Sequence, residues 1–417
     1  MGKKIIGPFS QLLSFVDTPL KGALTDQQMT IREYAGILVE DGIIVIIDNY
    51  DDLISKHGDQ AEIRFMEGDK VFVPGYIDCH THIAFAGNRA NDFALRNAGA
   101  SYLEIAQAGG GIWSTVLHTR AASEKELTDN IINFSKDLLA QGITTIEVKS
   151  GYGLSVKEEL KILRAIKKAQ QSVAVDLIPT CLAAHMKPKD FAGSAVDYLN
   201  EIASELFPIL KAENLCNRID AFIEQSAFSA DDIEDYFIKA QKMGFDITVH
   251  ADQFSTSGSK VAVRFNAVSA DHLEASTDAE ITLLATSNTV AVALPGASIG
   301  IGCAFTPARK LLDQGACLAI ATDWNPGSAP MGQLMTQATI LATAEKLSNA
   351  EVFAAITFRA AQALNLSDRG RIRSGEIADF VVYNTDNYQN ITYKQGTLKP
   401  VQVWKRGTIS YMEGGEA

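Results

Sequence analysis

The sequence predicts an α/β fold, with a distorted (β/α)8 barrel over residues 75–368 and a small β-sandwich over residues 1–74 and 369–417. Two observations predict it. In the middle of the chain, eight short apolar or β-branched runs alternate with helical patterns, and at both ends similar runs are separated by turn residues alone. Eight βα units in succession give a parallel sheet that closes on itself with right-handed crossovers.

The two chain ends are predicted to be rich in β-structure. Near the amino end, Gly36–Val39 and Ile43–Ile47 are short apolar runs separated by the turn signal Glu40-Asp41-Gly42. Near the carboxyl end, Asp379–Tyr383 and Pro400–Trp404 have the same character. We therefore expect one composite β-sandwich domain built from both ends.

The middle of the chain carries the barrel pattern. Its helices are predicted from apolar residues at helical spacing and from a capping box that pairs Ser123 with Glu126. The predicted helices include Val156–Ala169, Asp231–Met243 and Asp278–Leu284. The eight predicted barrel strands are Tyr76–Asp78, Thr144–Val148, Val173–Leu177, Ile219–Ile223, Asp246–Val249, Val268–Ala270, Val290–Leu294 and Leu318–Ala321.

Composition limits the classes of function. The formal net charge is −13, and an acidic surface repels phosphate backbones, so we expect no nucleic-acid partner. No apolar run reaches the length of about 18 residues that a membrane span needs, so we expect no membrane partner. The 5 cysteines match neither a disulfide framework nor a zinc ribbon. These features predict a cytoplasmic protein in a reducing compartment that acts on a small molecule.

Histidines are concentrated where a barrel enzyme would need them. Of the 7 histidines, those at positions 80, 82, 185, 250 and 272 lie at or just beyond the carboxyl ends of predicted strands, which form the catalytic face of such a barrel. His80 and His82 are two residues apart, so both imidazoles point to one face of the strand. Two neutral imidazoles that point together suit a divalent metal.

Three further side chains are predicted to meet this pair. His250, His272 and Asp323 each end a different predicted strand. Taken singly, each has an ordinary interpretation as a hydrogen-bonded loop residue or a turn former. Together with the first pair they converge on one rim, and the sequence therefore predicts a metal site there.

Longer stretches around these residues resemble the amidohydrolase superfamily. The run Val-Pro-Gly-Tyr-Ile-Asp-Cys-His-Thr-His over residues 73–82 carries the first histidine pair. The blocks most specific to one branch of that superfamily are Glu-Val-Lys-Ser-Gly-Tyr-Gly over residues 147–153 and the glycine run over residues 109–111. The other matching blocks are residues 85–93, 250–253, 270–274, 294–297 and 323–328.

The resemblance implies a reaction and a set of roles. The implied reaction is hydrolysis of the cyclic amide 4-imidazolone-5-propanoate to N-formimidoyl-L-glutamate, in a homodimer with one divalent metal, Zn²⁺ or Fe, in each chain. The implied metal ligands are His80, His82, His250 and Asp323. The implied substrate-binding residues are Arg89, Tyr152, His185 and Gln253, with Asn325, Gly327 and Ser328 near the product.

Elementary chemistry agrees with those roles. Opening a cyclic amide at neutral pH needs a nucleophile, and a divalent metal lowers the pKa of bound water enough to supply one. His272 is not needed to complete the ligand set, so it is a candidate proton acceptor, with Asp323 as the alternative. The guanidinium of Arg89 offers two parallel N–H groups that match the propionate carboxylate of the substrate. An acidic protein can bind an anion in this way.

Several interpretations stay open at this stage. Gln253 stands where relatives often have Glu, and its amide can donate a hydrogen bond but cannot carry a proton. Lys149 could in principle be carboxylated to bridge two metals, although we favour a structural role. We interpret the glycine run over residues 109–111 as a close backbone approach near the site. The alternative functions are a related deaminase or deiminase on another small nitrogen heterocycle, and a non-catalytic structural protein of the same fold.

Overall fold

The computed structural model describes residues 2–100, 104–105 and 108–415, and its centre is a parallel eight-stranded sheet. Each strand pairs with the next along the chain, so the order follows the sequence without interruption. We number the strands in chain order, and those of the barrel are β8 to β15. They are β8 Tyr76–Asp78, β9 Ile143–Lys149, β10 Asp176–Ala184, β11 Arg218–Phe222, β12 Asp246–Ala251, β13 Ser269–His272, β14 Val290–Ala293 and β15 Leu318–Ile320.

The first and last barrel strands meet just beyond their carboxyl ends. Thr81 and Trp324 form a parallel bridge. The backbone N–H of His82 donates to the carbonyl of Trp324 at 2.9 Å, and the N–H of Asp323 donates to the carbonyl of His80 at 3.0 Å. The closing contacts of the barrel therefore fix the backbone of three residues predicted to bind metal.

Helices follow the barrel strands. The helix Val156–Ala169 shows why they form where they do. The Ser155 side chain accepts from the N–H of Glu158, and Leu160, Leu163 and Ile166 bury one face of the helix. Among the described residues, no helix combines the length and apolar character that crossing a membrane requires.

The described α-helices, numbered in chain order, are α1 Tyr50–His57, α2 Ala90–Asn97, α3 Ile112–Ala121, α4 Glu124–Leu139, α5 Val156–Ala169, α6 Ala195–Glu201, α7 Phe207–Ala212, α8 Ala230–Lys242, α9 Gly258–Arg264, α10 Asp278–Thr286, α11 Pro295–Ile301, α12 Ala308–Asp313, α13 Leu334–Glu345, α14 Asn349–Ala355, α15 Phe358–Ala363 and α16 Gln389–Tyr393.

The predicted third barrel strand was wrong in its position. We predicted Val173–Leu177, whereas β10 covers Asp176–Ala184. Val173 directly follows the short 3₁₀ turn Gln170–Ser172, and although its backbone is extended, pairing with β9 begins only at Asp176. The strand continues through Pro179 and Thr180, which interrupt the apolar run in the sequence. Its true end places His185 directly at the barrel mouth.

Two further sheets come from the chain ends. One has four strands in the order β5-β4-β1-β6, and the other has six in the order β18-β17-β16-β7-β2-β3, so the second sheet combines both ends of the chain. This confirms the predicted fold class, while the domain boundaries after residues 74 and 368 stay a prediction. The strands are β1 Lys4–Phe9, β2 Gln11–Leu13, β3 Ile31–Arg32, β4 Ala35–Glu40, β5 Ile43–Asn49, β6 Glu62–Phe65, β7 Val71–Pro74, β16 Phe380–Tyr383, β17 Gln402–Lys405 and β18 Thr408–Met412.

An ion-pair network joins the six-stranded sheet to the barrel. Lys405 Nζ lies 2.5 Å from Asp379 Oδ2 and 2.8 Å from Asp176 Oδ2, and Arg369 Nη1 lies 2.5 Å from the same Asp176 oxygen. Asp176 is the first residue of β10. This contact is therefore at the amino end of the barrel, opposite the carboxyl ends that carry the predicted site.

The core between the two end-derived sheets rests on stacked aromatic rings. The ring of Phe72 lies 4.4 Å from that of Phe9 and 4.3 Å from that of Phe380, centroid to centroid. Phe380 in turn stacks on Trp404 at 5.1 Å. All four side chains are buried.

Phe72→Ala is expected to lower the free energy of unfolding by about 3–5 kcal/mol, because it removes the central ring of this stack and leaves a cavity. Chemical denaturation measures the effect. Phe65→Ala is the matched control, since Phe65 is 66% exposed on an edge strand and its loss should change the free energy by less than about 0.5 kcal/mol. Equal effects for the two variants would contradict the assignment of this core.

Candidate metal centre and substrate pocket

Four predicted ligands meet at the carboxyl end of the barrel. His80 and His82 follow β8, His250 lies in β12, and Asp323 follows β15; all four are buried. His82 Nε2 lies 3.3 Å from both His80 Nε2 and His250 Nε2. Asp323 Oδ1 lies 3.4 Å from His80 Nε2 and 3.3 Å from His82 Nε2. The three histidines form a group that can hold one metal ion.

The donor atoms of this group fit a divalent cation. Bonds of about 2.0–2.1 Å to one central ion place tetrahedral donors about 3.3–3.4 Å apart. His82 Nε2 lies at this distance from each of the other two imidazole nitrogens. His80 Nδ1 lies 2.7 Å from Asp271 Oδ2, and His250 Nδ1 lies 3.0 Å from Asp220 Oδ2. These carboxylates favour a proton on Nδ1, so the lone pairs of the Nε2 atoms face one another.

The electrostatics of the group favour a positive charge at its centre. Burial lowers the pKa of His82 to about 3, which keeps that imidazole neutral. At His80, burial and Lys149 lower the pKa, but Asp271 and Asp323 outweigh them and raise it to about 9. The carboxylates around His80 therefore attract a cation, and a divalent metal satisfies that demand together with the facing lone pairs.

The surroundings of Lys149 favour an ammonium group over a carboxylated lysine. Its Nζ lies 2.7 Å from Glu147 Oε1 and 2.9 Å from Asp220 Oδ2. Burial lowers the pKa of Lys149, but these carboxylates and Asp271 raise it above its ordinary value overall. A carboxylated lysine would put a fourth negative group among them, so the geometry supports the structural role and a single metal.

A cavity of about 490 Å³ opens beside the ligand group. Except for Gly327, every residue predicted to bind the substrate lines it. Those residues are Arg89, Tyr152, His185, Gln253, Asn325 and Ser328, and His272 lines it as well. The structure thus brings the predicted side chains together in one pocket, while their roles toward a substrate stay predictions.

Arg89 is held by a carboxylate that the sequence analysis missed. Its Nε donates to Asp92 Oδ2 at 2.7 Å, and the same oxygen accepts from the N–H of Gly111 at 2.8 Å. A Cβ on Gly110 would lie 2.3 Å from Asp92 Oδ1, which confirms the close backbone approach predicted for the glycine run. The spacing of three residues between Arg89 and Asp92 on α2 was the available signal.

Gly327 contacts Arg89 rather than opening into the cavity itself. A Cβ at this position would lie 2.1 Å from Arg89 Nη1. The turn that carries Gly327 is closed by Asn325, whose Oδ1 accepts from the N–H groups of Gly327 and Ser328, both at 2.8 Å. The predicted product-side residues therefore form one turn against the guanidinium.

His185 and Tyr152 form one wall of the cavity. His185 Nδ1 lies 3.0 Å from the carbonyl oxygen of Gly151, and its ring stacks on that of His82 at 5.7 Å. Burial lowers the pKa of His185 to about 4, so it is a neutral imidazole. Burial also raises the pKa of Tyr152, so its hydroxyl keeps its proton and can donate a hydrogen bond.

His272 lies next to the ligand group at the end of β13. Its ring centroid is 5.4 Å from that of His250 and 5.9 Å from that of His80. Its Nδ1 lies 3.5 Å from Glu274 Oε1, which orients the ring. This position agrees with a proton acceptor beside the metal, and the role stays a prediction.

Glu224 fixes the loop of Gln253 and was also missed. Its Oε2 accepts from the N–H groups of Phe254 at 2.9 Å and Ser255 at 3.1 Å. Glu224 follows β11 whereas Gln253 follows β12, so no local sequence signal links them. Buried carboxylates of this kind hold the loops that carry the pocket residues.

Comparisons with known proteins agree with this geometry. The model of the amidohydrolase family matches residues 105–411. The imidazolonepropionase of Pseudomonas syringae pv. tomato is 42% identical over 383 residues, which cover 89% of this chain and 95% of the relative. That of Bacillus cytotoxicus is 37% identical over 393 residues, which cover 93% and 92%.

Solved structures share the fold at low sequence identity. A triazine hydrolase variant aligns with a TM-score of 0.75 at 14% identity, covering 98% of this chain and 95% of its own. A zinc-bound adenosine deaminase from Xanthomonas campestris aligns at 0.71 and 18%, covering 98% and 93%. The chain belongs to the amidohydrolase family. Within that family, its sequence relatives identify it as a member of the imidazolonepropionases.

The purified protein is expected to hold about one divalent metal ion per chain, and His250→Ala should reduce this occupancy towards zero, because it removes one of three clustered imidazoles. Elemental analysis after gentle purification measures the occupancy. His118→Ala is the control, since His118 is exposed on α3 and should leave the metal content unchanged. No metal in the unaltered protein would favour the non-catalytic structural protein instead.

Proposed function

We propose that this chain hydrolyses 4-imidazolone-5-propanoate to N-formimidoyl-L-glutamate, a step of histidine degradation. The observation that carries the proposal is that Arg89 lines the same cavity as His82, His250 and Asp323. One pocket thus offers a cation for a carboxylate tail and a group of metal ligands for the reacting amide. The sequence relatives named imidazolonepropionase support the same assignment.

His80, His82, His250 and Asp323 would hold the metal. When bound there, a divalent metal supplies Lewis acidity toward a carbonyl oxygen and lowers the pKa of water to near neutrality. Three imidazoles and one carboxylate suit both zinc and iron, so we propose one of these two metals.

The substrate is oriented by the other polar residues that line the cavity. The Arg89 guanidinium pairs with the propionate carboxylate, and its contacts with Asp92 and Gly327 fix its position before the substrate binds. Tyr152 donates a hydrogen bond from its hydroxyl, and the neutral His185 adds another polar contact. The amide of Gln253 bonds the ring without exchanging a proton.

Proton transfer falls to His272 in this proposal. Burial raises the pKa of Asp323, but its contacts with His80 and His82 outweigh burial and hold that pKa well below its ordinary value, so Asp323 is a weak base. His272 accepts the proton of the attacking water at Nε2, because its Nδ1 faces Glu274. The amide C–N bond breaks, the water oxygen enters the new carboxylate, and the leaving nitrogen takes up a proton.

The remaining expectations from the sequence stay predictions. They are a homodimer, a cytoplasmic location and the lack of a nucleic-acid partner.

The direct test follows the ultraviolet absorbance of the imidazolone with purified protein, with and without a chelator. We expect rapid loss of absorbance that the chelator abolishes and that added zinc or iron restores. No loss with any metal supplied would overturn the proposed substrate. Deamination of another nitrogen heterocycle under the same conditions would then favour the deaminase alternative.

Arg89→Ala is expected to raise KM by about 10- to 100-fold, because it removes a charge-assisted interaction worth roughly 1.5–3 kcal/mol in total. Steady-state kinetics on the same substrate measures it. Arg64→Ala is the matched control, since the Arg64 side chain is 51% exposed on the edge strand β6 and should leave KM unchanged. An unchanged KM for Arg89→Ala would show that the tail binds elsewhere.

A further inference from the structure

A buried lysine lies behind the metal ligands, surrounded by carboxylates. Lys149 ends β9, and its side chain is 1% exposed. Its Nζ lies 2.7 Å from Glu147 Oε1, 2.9 Å from Asp220 Oδ2 and 3.7 Å from Asp271 Oδ2. One ammonium group is therefore shared by three carboxylates from three different strands.

Two of these carboxylates also hold the candidate ligands from behind. The Asp271 oxygen that faces Lys149 is the one that lies 2.7 Å from His80 Nδ1. The Asp220 oxygen that faces Lys149 is the one that lies 3.0 Å from His250 Nδ1. A single cation thus fixes both oxygen atoms that set the orientation of these two imidazole rings.

The third carboxylate reaches the segment between the other two ligands. The second oxygen of Glu147, Oε2, accepts from the N–H of Thr81 at 3.3 Å, and the Thr81 hydroxyl donates to the carbonyl of Glu147 at 2.6 Å. Thr81 separates His80 from His82 in the sequence. Through Glu147 and Thr81, the contacts of Lys149 also reach the backbone segment that carries His82.

We infer that Lys149 is a positioning residue that holds the carboxylates behind His80 and His250, so that its removal weakens metal binding without the loss of any ligand. Without the ammonium group, three buried carboxylates repel one another in a medium of low dielectric constant and turn away from the imidazoles. Groups that orient ligand side chains typically contribute about 10- to 100-fold to metal affinity. The inference rests on the proposed metal centre and not on the proposed substrate.

The test uses the full chain with Lys149→Met and Glu147→Gln combined, which removes one charge of each sign and limits the repulsion. The probe is zinc alone, titrated into metal-free protein in competition with a chelating dye. We expect the apparent Kd for zinc to rise about 10- to 100-fold. The visible absorption spectrum of the cobalt-loaded protein should change in the same variant, since it reports the geometry of the ligands.

The matched control combines Lys405→Met and Asp379→Asn. This pair is equally buried, with side chains 5% and 3% exposed, and it belongs to the network at the amino end of the barrel. The control should lose stability but keep both the zinc Kd and the cobalt spectrum of the unaltered protein. That contrast separates positioning of the ligands from general destabilisation.

Several results would contradict the inference. A zinc Kd within twofold of the unaltered value in the Lys149 variant would overturn the inference, and so would an equal weakening in the control. If the double variant does not fold, Asp220→Asn tests the same link, and an unchanged zinc Kd there overturns it. If the unaltered protein binds no zinc, both the proposed metal centre and the inference are overturned. If it binds zinc but does not hydrolyse the imidazolone, only the proposed substrate is overturned.

Discussion

The lone pairs of the candidate ligand atoms converge in a buried space, where they repel each other. The structure at the carboxyl end of this barrel depends on a positive charge that offsets this repulsion. At this end, His82 Nε2 lies 3.3 Å from the Nε2 atoms of His80 and His250, and Asp323 Oδ1 lies 3.4 Å from His80 Nε2 and 3.3 Å from His82 Nε2. A cation at their centre turns the repulsion into attraction. The closing hydrogen bonds of the barrel run through the backbone of three of these residues, His80, His82 and Asp323, so their geometry and barrel closure constrain each other.

Some of the acidic residues of the chain surround this centre. The formal net charge is −13, yet the two groups on which the proposed chemistry depends are cationic: the metal and the Arg89 guanidinium. Each is surrounded by buried carboxylates, Asp92 at the arginine and Asp220, Asp271 and Glu147 behind the ligands. Part of the acidity is therefore internal and serves to hold positive groups where an anionic substrate would bind.

The fold, and the side chains that meet at the carboxyl end of the barrel, could be predicted from patterns within short stretches of the sequence. His80 and His82 share a face because strand side chains alternate, and each of the other ligands follows a recognisable apolar run. The end of β10 was predicted too early because Pro179 and Thr180 break its apolar pattern. A structural role was favoured for Lys149, but Asp220 and Glu224 were not recognised as supports, because their partners lie on other strands and only the closed barrel brings them together.

Four residues just beyond or at the carboxyl ends of the barrel strands have a strained backbone. Asp252, His272, Leu273 and Asp323 have φ angles of 51°, 88°, 72° and 52°, a region that costs side-chain-bearing residues about 1 kcal/mol or more each. Such conformations persist only where surrounding contacts over-determine them. Asp252 is fixed by the N–H groups of Ser257 at 3.0 Å and Ser259 at 3.1 Å.

Of these strained residues, Asp323 is a proposed ligand and His272 is the proposed base. Leu273 directly follows His272, and Asp252 directly precedes Gln253. A relaxed backbone at His272 or Asp323 would turn a side chain that lines the cavity away from it. The rigid barrel therefore holds the rim in conformations that these segments would not adopt alone. Because an adenosine deaminase and a triazine hydrolase share this fold, the fold alone does not determine the substrate, and in the function proposed above the residue that does so is Arg89 on the first loop.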